Sequence, residues 1–171
     1  AVRGILTGKR FNNGSFVQTP DAVATLEGDP ATSEGLFVFT SIAPSMVNVG
    51  DDVLVTGLVS EFSPSADLRQ PPVTEIVAPV VVVRATGQAL PSPIVLTAAN
   101  LSPGGGPLQL ERYEGMRVGT AGALSVVAPT SGTMNEANAT GSNNGVFYTV
   151  FASTPRPFRE AGIDVIDPPP A

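Results

Sequence analysis

The chain has 171 residues with no His, no Cys and no Trp, and its 9 basic and 15 acidic residues give a net charge of −6. The lack of His and Cys excludes Ser-His-Asp and Cys-His catalysis, thiolate metal sites and disulfides from this sequence. The negative charge opposes non-specific attraction to phosphate backbones, because that affinity comes from neutralising several phosphates at once. We therefore expect no enzymatic activity from this sequence by itself.

Strand patterns follow one another through the first half of the chain. Residues 4–8 and 15–18 flank Asn12-Asn13-Gly14, and this predicts a β-hairpin because Asn and Gly tolerate positive φ. A polar loop is expected over residues 21–35, and three further strands are predicted at 36–40, 53–62 and 74–85. Gly57 lies at the centre of the predicted strand 53–62 and indicates a bend or bulge. Five such strands predict an all-β fold, a small Greek-key barrel of the OB (oligonucleotide/oligosaccharide-binding) type over residues 1–90.

The rest of the sequence predicts a second β unit. Residues 91–110 are rich in Pro and Gly and indicate a connection, the second unit is expected over 111–166, and residues 167–171 read as a Pro-rich linker end. Asn-Asn-Gly-Ser-Phe at 12–16 recurs as Asn-Asn-Gly-Val-Phe at 143–147. This similarity indicates either a related second barrel or the resemblance that any two hairpins share, so the second unit is expected to be OB-like or partial. The strand-like start and the proline-rich end predict a fragment of a longer polypeptide.

Three segments, taken in order, resemble one known family. Residues 28–39 (GDPATSEGLFVF), 49–62 (VGDDVLVTGLVSEF) and 110–116 (LERYEGM) resemble the OB-fold-like region upstream of the catalytic domain in large secreted bacterial nucleases of the endonuclease/exonuclease/phosphatase superfamily. The resemblance spans about residues 1 to 160. It implies a non-catalytic accessory module, extracellular or at the cell surface, whose partner is the catalytic domain of the same polypeptide. That catalytic domain uses His, so this chain does not contain its site.

An oligonucleotide-binding face is the first candidate site. OB barrels bind on strands 2 and 3 with aromatic stacking platforms and a few cations. The residues of these types near the predicted strands are Arg3, Lys9, Arg10, Phe11, Phe16, Phe37 and Phe39. The alternative is that one apolar pair of the third strand, Phe37 with Phe39 or Leu36 with Val38, fills the barrel and that the basic cluster is solvated surface. Single-stranded nucleic acid is thus an expected partner.

An acidic loop is the second candidate site. Its four carboxylates could supply oxygen ligands to a structural Ca²⁺, and they belong to Asp21, Glu27, Asp29 and Glu34. Their spacing does not match an EF-hand, and the alternative is a short helical turn capped by Asp29 or a neighbouring hydroxyl. No other cofactor is expected. No stretch approaches the ~18 apolar residues of a membrane-spanning helix, so no membrane partner is expected.

Two functions remain open from the sequence. The first is a module of a secreted nuclease or phosphodiesterase that positions the catalytic domain or guides nucleic acid toward it. The second is a structural or adhesive β spacer of a cell-surface protein that binds protein or carbohydrate.

Overall fold

A computed structural model gives the fold of the chain. It describes residues 1–10, 12–27, 29, 31–63, 71–101, 108–128, 132–138, 140–143 and 148–153, with the backbone alone at 25–27, 127–128, 132–136, 140–143 and 148. The chain divides into two compact units, Ala1–Gly119 and Thr120–Ala171. Strands make up 48% of the described residues and helix 8%, which confirms the all-β class. No helix in the described ranges is long and apolar enough to cross a membrane.

Five strands of the first unit form a closed barrel in the order β1-β2-β3-β5-β4. Their bounds are β1 Val2–Arg10, β2 Gly14–Gln18, β3 Gly35–Phe39, β4 Asp52–Phe62 and β5 Val73–Ala85. Neighbouring strands are antiparallel except β3 and β5, which are parallel. Because β4 lies beside β1 rather than β3, the first four strands have the spatial order 4-1-2-3 of a Greek key. The predicted small barrel is confirmed.

Local sequence signals account for the β1–β2 turn and for one bulge between β4 and β5. Asn12 and Asn13 form the turn between β1 and β2, whose pairing runs up to Arg10 opposite Gly14. The β4–β5 pairing shifts register between Thr56 and Leu58, so the predicted bulge lies at Gly57. A side chain there would collide with β5, because its Cβ would lie 2.7 Å from the Val77 carbonyl oxygen.

The barrel interior is filled by β-branched residues. The core cluster comprises Val17, Val38, Val53, Val55 and Ile76, with Leu36 and Val81 packed against it. Successive side chains of a strand point to opposite faces, so Phe37 and Phe39 lie on the outer face of β3. Of the two apolar pairs on this strand, Leu36 with Val38 therefore fills the barrel.

A short helix, α1, stands within the segment expected to be a polar loop. It spans Asp21–Glu27, and the Pro20 carbonyl accepts hydrogen bonds from the backbone N–H groups of Val23 (2.8 Å) and Ala24 (3.0 Å). A seven-residue helix is too short to show an apolar stripe, which is why periodicity did not predict it.

Residues 111–117, here called the strap, cross the outer face of the barrel. The strap begins with a 3-10 turn at Glu111–Tyr113. The Ser33 hydroxyl donates to the Glu114 carbonyl (2.5 Å), the Thr74 N–H donates to the Glu114 carboxylate (3.0 Å), and the Arg117 N–H donates to Gln18 Oε1 (2.8 Å). These bonds fix the strap to β2 and β5 and to the residues before β3.

A small sheet flanks the strap. It pairs β6 Ile94–Leu96 with β7 Val118–Thr120. Before β6, the Ser92 N–H donates to both carboxylate oxygens of Asp21 at 3.0 Å.

The described part of the second unit contains two hairpin-like sheets. β8 Leu124–Ala128 pairs with β11 Tyr148–Phe151, and β9 Gly132–Asn135 pairs with β10 Thr140–Asn143, both antiparallel. Phe151 is buried and the Ala152 N–H donates to the Ala123 carbonyl at 2.9 Å. That the second unit is OB-like and related in sequence to the first barrel stays a prediction.

Candidate functional site

A groove of about 400 Å³ opens on the outer face of the barrel. It lies where the β1–β2 turn, the end of β3 and the junction of β4 with β5 meet. Its lining residues are Arg10, Asn13, Phe37, Phe39, Phe62, Val73 and Glu75. Strand pairing explains their proximity, because Phe62 is the register partner of Val73 and Phe37 is the partner of Glu75.

Aromatic rings form the floor and the walls of the groove. The rings of Phe16 and Phe37 are 5.1 Å apart between centroids and are tilted by 47°. The Arg10 guanidinium carbon lies 5.7 Å from the centroid of Phe37, within the range of a cation–π contact. Phe37 is only 5% exposed, whereas Phe39 is half-buried and Phe62 is 51% exposed. Phe37 is thus the floor, and Phe39 and Phe62 offer the accessible aromatic surface.

Gly14 allows the floor to form. A Cβ at this position would lie 2.8 Å from Cε2 of Phe37 and 2.5 Å from the Val38 carbonyl oxygen. The turn sequence therefore serves the groove as well as the hairpin, since only glycine leaves room for the Phe37 ring.

Two acceptor groups of the groove lack a partner among the described residues. Glu75 is 7% exposed, burial raises the pKa of its carboxyl group, and no described residue donates a hydrogen bond to it. The side-chain oxygen Oδ1 of Asn13 is buried and also has no hydrogen bond. The Asn13 backbone is held in place, because its carbonyl accepts from the Thr40 N–H at 3.0 Å. Buried polar groups are nearly always paired, so these two acceptors distinguish the groove.

The structure brings some of the predicted nucleic-acid-binding residues together. Arg10, Phe37 and Phe39 line the groove, and Phe16 packs against Phe37. Phe11 lies outside the described residues.

Arg3 and Lys9 are not among the residues that line the groove. Arg3 forms a two-point ion pair with Asp52, with Nη2–Oδ2 and Nε–Oδ1 distances of 2.7 and 3.0 Å. This hydrogen bonding lowers the pKa of the Asp52 carboxyl group. The Lys9 ammonium donates to the Val47 carbonyl at 2.8 Å. Both cations therefore have structural partners elsewhere on the barrel.

Sequence reasoning missed Asn13, Phe62 and Glu75 as groove residues. Glu75 carried a usable signal, because it is the one charged residue in the apolar run from 73 to 83. Phe62 is the last residue of a long strand, directly before a polar segment, and this position places it at one end of the barrel.

The residues of the predicted calcium site have separate roles. The Asp21 carboxylate accepts from the Ser92 N–H, and Asp29 Oδ1 accepts from the Ala31 N–H at 2.9 Å. The backbone carbonyl of Glu34 accepts from the Thr19 N–H at 2.9 Å, and the side chain of Glu27 lies outside the described residues. Within the described ranges no three metal-ligating side chains cluster. Calcium binding stays a prediction.

Comparison with known proteins gives no relative for this chain. No protein-family model, no curated protein and no solved structure matches it. The resemblance to the nuclease accessory region therefore stays a prediction.

Proposed function

We propose that the chain is a non-catalytic β accessory module of a secreted bacterial nuclease or phosphodiesterase, and that its groove binds single-stranded nucleic acid. The observation that carries the proposal is the position of the groove. It lies on β3 between the β1–β2 turn and the facing ends of β4 and β5, and Phe16 of β2 packs against its floor residue Phe37. OB barrels bind oligonucleotides on the neighbouring β2–β3 face and its flanking loops. The closed five-strand barrel with Greek-key order supports an OB-type assignment.

The chemistry of the groove suits a single strand rather than a duplex. Exposed aromatic faces such as Phe39 and Phe62 stack on unpaired bases, and one such contact contributes about 1–3 kcal/mol per base. Arg10 is held over the Phe37 ring, so its planar guanidinium is already oriented to contact a phosphate or a base edge. Bases inside a duplex would not reach these rings.

The small number of cations in the groove makes nucleic-acid binding depend only weakly on salt concentration. Arg10 is the sole cation among the described groove-lining residues, and the chain carries a net charge of −6. Each phosphate neutralised on a single strand contributes about −0.7 to the slope of log K against log salt. We expect a slope near that of a single contact.

Arg10 and Lys9 provide a matched test. Anisotropy of a labelled single strand of about 12 nucleotides, within the usual site size, is measured with the wild type, Arg10→Met and Lys9→Met. The two variants change the net charge equally, but only Arg10 lines the groove. We expect Arg10→Met to weaken binding by about tenfold, typical of a lost charged contact, and Lys9→Met to leave it unchanged. Absence of binding by the wild type at high micromolar concentration would overturn the proposal.

A second candidate function rests on the two groove acceptors that have no donor among the described residues, Asn13 Oδ1 and the Glu75 carboxylate. Carboxylate and amide oxygens beside aromatic rings also suit sugar hydroxyls, which would favour the carbohydrate-binding spacer. Binding of neutral oligosaccharides in place of the labelled strand would support that alternative.

A further inference from the structure

We infer that the groove prefers cytosine and adenine, whose exocyclic amino groups are N4 and N6, over uracil and thymine, with Glu75 as the residue that reads this amino group. The inference rests on the proposed function and names the substrate class of the same groove. It follows from the placement of acceptors, a donor and aromatic surface around one cavity of about 400 Å³.

Glu75 is placed to read a base that stacks in the groove. It lies on β5 directly beside Phe37 of β3, so its carboxylate borders the aromatic floor. The Glu75 side chain is 7% exposed and accepts no hydrogen bond from a described residue, so its carboxylate depends on water in the groove for its hydrogen bonds. A buried carboxylate is costly unless it is hydrogen-bonded. A ligand that brings an N–H group would supply the missing bond.

Asn13 adds a second acceptor at the opposite wall. Its Oδ1 is buried without a partner, and the bond from the Thr40 N–H to its carbonyl fixes the turn that carries it. Cytosine N4 and adenine N6 are amino donors, whereas thymine and uracil present a carbonyl oxygen at the equivalent position. That oxygen would face a carboxylate, so two acceptors would oppose each other with no hydrogen between them.

The strap limits how much of a strand the face can hold. Arg117 is bonded to Gln18, and Gly115 packs on Gly35, so the outer face of β2 and β3 is covered at the end away from the groove. The open part is a cavity of small-molecule size. We therefore expect one or two nucleotides to carry most of the affinity, and base identity there to matter.

The test compares the affinities of oligonucleotides about four nucleotides long, the short end of OB site sizes, for the whole chain at pH 7. The probes are (dC), (dA) and (dU) oligomers, together with an oligomer of 2-pyrimidinone, which is cytosine without its amino group. We expect the dC and dA oligomers to bind about tenfold more tightly than dU, the scale of one good base-edge contact. The 2-pyrimidinone oligomer should bind like dU, and this comparison leaves the protein unaltered.

Glu75→Gln gives the complementary protein variant. A glutamine offers both an acceptor and a donor, so it should bind dC and dU oligomers about equally, with circular dichroism verifying that the barrel is folded. Equal binding of dC, dU and 2-pyrimidinone oligomers by the wild type would overturn the base preference while leaving the groove as a nucleic-acid site. Binding of no oligomer by the wild type would overturn the proposed function itself.

Discussion

Gly35 is the position where the strap and the barrel approach most closely, and its substitution by alanine tests the packing directly. A Cβ built on Gly35 would lie 2.5 Å from the Met116 backbone nitrogen and 2.6 Å from the Gly115 carbonyl oxygen. Real Cβ atoms do not approach other atoms this closely. The colliding atoms belong to the backbone, so they cannot rotate away as a side-chain end can, and the strap has to move.

The cost follows from what that movement breaks. Overpacking of this kind costs about 1–3 kcal/mol. Displacement also strains the bonds of Glu114 to Ser33 and Thr74 and the bond between Arg117 and Gln18, each of which contributes about 1 kcal/mol net. Because a displaced strap would retain part of these bonds, we expect the free energy of unfolding to fall by about 2–4 kcal/mol in total.

Urea denaturation measures this loss, with Gly8→Ala as the matched control. Gly8 lies on the same barrel, but a Cβ there would meet Phe16 at an ordinary distance of 3.5 Å, so we expect a change below about 1 kcal/mol. In a Tyr148→Phe background the remaining tyrosine is Tyr113, and its fluorescence reports on the strap. Equal unfolding free energies for Gly35→Ala and Gly8→Ala, within about 0.5 kcal/mol, would refute the packing argument.

Three further predictions concern stability and are read from urea midpoints. Arg3→Gln should lower the midpoint at pH 7. Because the pKa of Asp52 is depressed in the fold, the difference from the wild type should begin to shrink near the ordinary aspartate value of 3.8 and be lost as the pH falls through the depressed folded pKa. Glu114→Gln should raise the urea midpoint at pH 7, because burial, partly opposed by the hydrogen bond from Thr74, raises the pKa of the Glu114 carboxyl group. The gain should disappear below the ordinary value of 4.5, where the wild-type carboxyl group is protonated as well. Ala78 has a φ of 48°, so Ala78→Gly should stabilise the barrel by up to about 1 kcal/mol and Ala78→Val should destabilise it by about 1–2 kcal/mol; the opposite order would contradict the left-handed assignment.

The barrel strands could be predicted because their signals are local. The predicted start at residue 53 and the predicted end at residue 85, for example, match β4 Asp52–Phe62 and β5 Val73–Ala85 within one residue. Strand runs bounded by turn residues set these limits, and Gly57 marked the bulge. The strap could not be predicted, because it depends on contacts between residues far apart in sequence, such as Ser33 with Glu114.

The candidate site was predictable only in part for a similar reason. Arg10 and Phe39 belong to residue types that nucleic-acid sites use, and they lie near the predicted hairpin and the third strand. Glu75 and Phe62 enter the groove through the pairing of β5 with β3 and β4. Both pairings are set by closure of the barrel, and no local sequence pattern specifies them.

One face of the barrel contains both satisfied and unsatisfied polar groups, and this contrast supports the proposed binding site. At the strap, Gln18, Thr74 and Glu114 are hydrogen-bonded by the chain itself. At the groove, Asn13 Oδ1 and the Glu75 carboxylate have no described donor. Because Thr74 and Glu75 are neighbours on one strand, the difference cannot come from a general failure of packing in this region. Replacing Glu75 with an apolar residue would stabilise a barrel that served only as a spacer, so the presence of this carboxylate supports the proposal that a ligand donates to it.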